Sequence, residues 1–167
     1  MRSGFLQTNE KATSNNIIPL RLENPRVIDT LYVITTHQCN LKCPHCDIRL
    51  REDFYDRNKF ISSLQKYRDS DMIIFGGEPT LHFDRIQLIC QYGSPTSIST
   101  NLLTVTSLLI DIIKQYNLGV ATSWNPKRFH GSQYTRWIDN LKMLANNNIK
   151  VKVLVTLTDD LIAFDSN

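Results

Sequence analysis

Nowhere in these 167 residues is there an apolar run of eighteen, so no segment reads as a bilayer span. The opening stretch, MRSGFLQTNEKATSNN, lacks the apolar core of a secretory signal. The net charge is only +3, and Lys and Arg are scattered rather than gathered on one face. That distribution argues against a nucleic-acid platform. There is no internal repeat and no low-complexity block. Together these absences lead us to expect a cytoplasmic protein of one domain, with no membrane or nucleic-acid partner and with reduced thiols. The length suffices to bury a core without disulfide staples.

What is present begins with a polar arm. Residues 1–26 are rich in Ser, Thr and Asn, and the core domain is expected over 27–167. From Leu31 onward, short β-branched runs alternate with amphipathic segments. LYVITT (31–36), MIIF (72–75), TSIST (96–100), LGVATS (118–123) and KVKVLVTL (150–157) read as strands. Between them, helical periodicity places Phe60, Ile61 and Leu64 on one face behind an Asp56 cap. Ile86, Ile89 and Cys90 follow a cap at Asp84, and Leu108, Leu109, Ile112 and Ile113 follow Thr104 or Thr106. Trp137, Leu141 and Leu144 follow Ser132. Strands alternating with helices imply right-handed crossovers and a parallel sheet. The expected fold is α/β, a partial TIM-like barrel of about five to six parallel strands. Polar residues close every strand: Thr35–Thr36–His37, Gly77–Glu78, Ser99–Thr100–Asn101, Ser123–Trp124–Asn125 and Thr156–Thr158–Asp159. In barrels and open α/β sheets chemistry sits at those ends.

Three of the four cysteines fall within CNLKCPHC, at Cys39, Cys43 and Cys46. Clustered cysteines in a reducing compartment more often hold metal than form bridges. Three thiolates leave one corner of a four-iron cubane open. Zinc is the competing occupant, with His37 or His45 completing the set, although the distant second cysteine pair usual for zinc is missing. Cys90 lies on an apolar helical face and reads as core. FGGEPTL (75–81) follows the second strand. Gly76 and Gly77 let backbone approach a ligand, Glu78 offers a carboxylate to an ammonium group, and Pro79 fixes the turn.

TTHQCNLKCPHC and IIFGGEPTL, on successive strands, resemble the radical S-adenosylmethionine (radical SAM) superfamily. The resemblance covers roughly Leu31 to Asp160. It implies that Cys39, Cys43 and Cys46 hold a [4Fe–4S] cluster whose open iron is chelated by the amino and carboxylate groups of SAM. It further implies that Gly76, Gly77, Glu78 and Pro79 contact that amino group and that His45 packs near adenine. Ser99, Asn101, Ser123 and Asn125 become candidates for the SAM carboxylate and ribose. The implied reaction is reductive cleavage of SAM to methionine and a 5′-deoxyadenosyl radical, which takes hydrogen from a substrate. An electron donor such as flavodoxin or ferredoxin is then an expected partner, and the motif wording looks most like enzymes acting on peptides or proteins. A glycyl-radical activase or a deazapurine-forming enzyme also fits.

Some family features are missing. The glycine-bearing adenine signature is absent from the fifth strand, where Val153 and Val155 read as plain sheet core. There are no extra cysteines for auxiliary clusters, so one cluster is expected. The alternative readings are a degenerate radical SAM scaffold and a zinc-binding structural protein. Trp137 reads as core. Trp124, and the loop Lys127–His130 on the active face, are weaker candidates for contacting substrate.

Overall fold

Five β-branched segments separated by amphipathic helices form one parallel sheet in the computed structural model, which describes residues 28–43, 46, 48, 55–125 and 127–155. The strands are β1 (Thr30–Ile34), β2 (Asp71–Phe75), β3 (Pro95–Ser99), β4 (Gly119–Trp124) and β5 (Val151–Val155). The helices are α1 (Arg57–Lys66), α2 (Phe83–Tyr92), α3 (Ser107–Gln115) and α4 (Gln133–Asn146). The spatial order β1-β2-β3-β4-β5 follows the chain, and every pairing is parallel. This is the expected partial, barrel-like α/β fold, with five strands among the described residues. The polar arm, His45 and the strand-end residues Thr156, Thr158 and Asp159 lie outside them.

The strands' two-residue period separates two faces. Met72 and Ile74 of β2, Ile98 of β3 and Val120 of β4 are buried. They join a core with Ile86 and Ile89 of α2, Leu109, Ile112 and Ile113 of α3, and Trp137 and Leu144 of α4. Each fully buried aliphatic side chain of this kind contributes about 1.5–3 kcal/mol. The opposite face carries Ile73 and Phe75, Ser97 and Ser99, Ala121 and Ser123, all half-buried. Most of these are small, so that face leaves room for a ligand. Register places Val153 beside Thr122 on the helix side and Leu154 beside Ser123 on the ligand side. Val153 and Val155, on the last strand among the described residues, are exposed, not the buried core that the sequence suggests.

The caps show which local signals prevail. Asp56 accepts from the N–H groups of Asn58 and Lys59, and Thr106 accepts from Leu109, as their positions imply. Asp84 does not cap α2. A 3₁₀ turn, Pro79–Leu81, runs straight into the helix, so His82 takes the cap position and Asp84 falls in the first turn. There its charge still favours the positive end of the helix dipole. Ser132 stands before α4 but makes no capping bond, because its own backbone is already helical.

Candidate functional site

The cysteine loop leaves β1 and is held to the end of β2 by backbone. Thr35 N–H donates to Phe75 O at 2.9 Å, Gly77 N–H to Thr36 O at 2.7 Å, and Glu78 N–H to Gln38 O at 2.8 Å. This zipper explains the two glycines. A Cβ on Gly77 would lie 2.2 Å from the Gln38 carbonyl oxygen, and one on Gly76 would lie 2.5 Å from that of Thr36. Gly76 also has φ +140°, which L side chains rarely adopt. The close approach is thus to the backbone that carries Cys39.

Glu78 is fully buried, and its carboxylate gathers four hydrogen bonds. One oxygen accepts from Thr80 N–H at 3.1 Å, Thr80 Oγ1 at 2.6 Å and Thr100 Oγ1 at 2.7 Å. The other accepts from Asn101 N–H at 2.7 Å. These bonds lock the end of β2 to the end of β3. Pro79, at the first position of the 3₁₀ turn, needs no donor there. Asn101 extends the lock to the cysteine loop. Its Nδ2 donates to Asn40 Oδ1 at 2.6 Å and to Cys39 Sγ at 3.8 Å. Leu41 N–H also donates to Cys39 Sγ, at 3.4 Å.

Above this knot lies a cavity of about 280 Å³. Cys39, Cys43 and Cys46 line it together with Gly76, Gly77, Ser99, Asn101 and Ser123. Residues from the ends of four strands therefore converge on one space, as the sequence implies. Asn125 does not join them: its side chain accepts from Lys127 N–H at 2.9 Å and shapes the turn after β4. Glu78 and Pro79 support the floor without lining it. His37 lines a separate cavity against α1, away from the three thiols. Arg128, a weak candidate in the sequence, is the one charged side chain lining the cysteine cavity among the described residues. Thr100 and Asn40 matter more than their types suggest, because each anchors another residue. Their positions, one residue after Ser99 and one after Cys39, were the available signal.

Burial pushes the Cys39 thiol up. The Leu41 N–H opposes that rise, the Glu78 carboxylate and Cys43 add to it, and the Asn101 amide again opposes it. A cation bound there would invert the balance, since metal ligation requires the thiolate. Cys90 is different: burial alone pushes it up to about 11, which suits a core thiol. Among the described residues no three His, Cys, Asp or Glu side chains converge closely enough to hold one metal ion. Tetrahedral zinc, with Zn–S near 2.3 Å, needs sulfurs roughly 3.8 Å apart. A cubane reaches each thiolate with a separate iron and tolerates a wider set. Three thiols around a shared cavity fit the cluster better than a single ion.

Among known proteins, 7-carboxy-7-deazaguanine synthase of Aquifex aeolicus (strain VF5) is 27% identical over 93 residues, covering 53% of this chain and 42% of that enzyme. The solved structure of native anSMEcpe with bound AdoMet superposes with a TM-score of 0.65 at 16% identity, over 82% of this chain and 46% of that one. The chain thus spans less than half the length of either protein. The sequence model of the Radical SAM superfamily matches residues 33–160. That span takes in the cysteine loop, the glycine ledge and four of the five strands entire, and the chain belongs to the radical SAM superfamily, whose cofactors are a [4Fe–4S] cluster and S-adenosylmethionine.

Proposed function

We propose that this chain is the radical-generating core of a radical SAM enzyme, with Cys39, Cys43 and Cys46 as the protein ligands of the cluster. The observation that carries this reading is the convergence of the three thiols and the Gly76–Gly77 ledge on one cavity. Bound together, the two cofactors supply one-electron cleavage of a carbon–sulfur bond and a carbon radical able to take hydrogen from an unactivated C–H bond. The chain's own residues do the rest. The thiolates would hold three irons of the cluster and leave the fourth for SAM. The ledge keeps the backbone at the ends of β1 and β2 fixed and would present polar main chain rather than a side chain to the SAM amino group. Ser99 and Ser123, on the ligand face, offer hydroxyls to the carboxylate and ribose. Phe75 and Ile48 give the cavity apolar wall that excludes water and stray hydrogen donors. His45 remains the proposed adenine neighbour. Reducing equivalents are proposed to come from a flavodoxin or ferredoxin.

For substrate we favour a peptide or protein, on the wording of TTHQCNLKCPHC and GGEPTL. The similarity to 7-carboxy-7-deazaguanine synthase supports a second reading, a deazapurine precursor. Anaerobic reconstitution with iron and sulfide, followed by SAM and a reductant, tests the core claim. Wild type is expected to take up about four irons and release 5′-deoxyadenosine, and Cys43→Ala to lose both. Survival of SAM cleavage in Cys43→Ala would refute the ligand assignment. Iron uptake without cleavage would favour a degenerate scaffold, and retention of zinc without iron a structural protein. Supplying a peptide or a deazapurine precursor and following substrate-dependent turnover separates the two substrate readings.

A further inference from the structure

The family resemblance makes Asn101 a SAM contact, yet its side chain is already engaged within the protein. It is 2% exposed. A primary amide has two N–H donors. One of them reaches Asn40 Oδ1 at 2.6 Å and the other Cys39 Sγ at 3.8 Å. Its Oδ1 accepts from Leu103 N–H at 2.9 Å, and its backbone N–H donates to the buried Glu78 carboxylate at 2.7 Å. No donor remains for a carboxylate or a ribose hydroxyl. What the amide does face is the first cysteine of the motif and the residue after it.

We propose that Asn101 is a positioning residue for the Cys39 sulfur: it aims that ligand and, through its N–H···S contact, makes the cluster easier to reduce. The proposal rests on the reading that Cys39 ligates iron. Hydrogen bonds to ligating sulfur offset the extra negative charge of the reduced state and raise the potential. Outer-shell partners also hold ligands in place, and losing one typically costs about 10–100-fold in metal affinity. Glu78 contributes from behind, because it fixes the backbone from which the Asn101 amide projects.

The test compares reconstituted wild type with Asn101→Leu, which removes the side-chain bonds, and Asn101→Asp, which keeps an acceptor for Leu103 N–H but has no donor. Asn101→Asp covers the case in which the leucine variant does not fold. Three quantities are read: the cluster midpoint potential by electron paramagnetic resonance during a redox titration, the rate of iron loss to a chelator, and the Kd for SAM. A more negative potential and iron loss at least about tenfold faster are expected, with SAM affinity within about twofold of wild type. A potential equal to that of wild type, or a tenfold loss of SAM affinity, overturns the proposal. Failure of the underlying site reading shows separately, since wild type itself would then take up no iron.

Discussion

The two sides of the sheet are finished in different ways at the ends where chemistry is expected. Around β1, β2 and β3 the loops are cross-tied: two glycines pressed on backbone, a buried carboxylate with four donors, and an asparagine reaching the cysteine loop. β5 is the last strand of the sheet among the described residues, and its Val153, Leu154 and Val155 are each more than 40% exposed. The tied side holds the proposed iron ligands, whose sulfurs tolerate little displacement. Among the described residues these cross-ties gather where the proposed ligand set sits, and β5 takes no part in them.

Three substitutions probe that contrast. Gly77→Ala is expected to have the largest effect, because its Cβ would sit 2.2 Å from a carbonyl oxygen that neither strand can easily move. A destabilisation of about 4 kcal/mol or more in chemical denaturation, or failure to fold, is anticipated. A loss below about 1 kcal/mol would mean that the zipper between the two loops is loose. Glu78→Gln should rank second. The amide presents a donor where the carboxylate met only donors, leaving at least one of Thr80, Thr100 and Asn101 unpaired, at a cost of about 1–3 kcal/mol. The same variant is expected to lose iron faster than wild type, since Asn101 hangs from this carboxylate. Leu154→Thr on β5 is expected to shift stability by no more than about 0.5 kcal/mol, as for most exposed positions. A loss above about 2 kcal/mol there would show that the β5 edge is covered in solution.

Much of the scaffold could be read from residue patterns. β-branched runs and helical periodicity located the five strands and four helices of the described residues, since burial of one face imposes those periods whatever lies further away. Two caps, Asp56 and Thr106, were legible because capping is settled within three residues. Asp84 was not, because the turn starting at Pro79 consumed the position before it. The cysteine trio was legible for the same local reason: ligands four and three residues apart can reach one space from one loop.

The partners of Glu78 and Asn101 were another matter. The family resemblance implied that both face SAM, whereas folding turned Glu78 toward Thr100 and Asn101 toward Asn40 and Cys39. Those contacts join residues 22 and more than 60 positions apart. Residue type and spacing specify what a side chain can donate or accept, and they sufficed for the fold class and for bringing the three cysteines to one cavity. Which donor meets which acceptor depends on strand order and register, and these arise only when distant segments pack to bury a shared core.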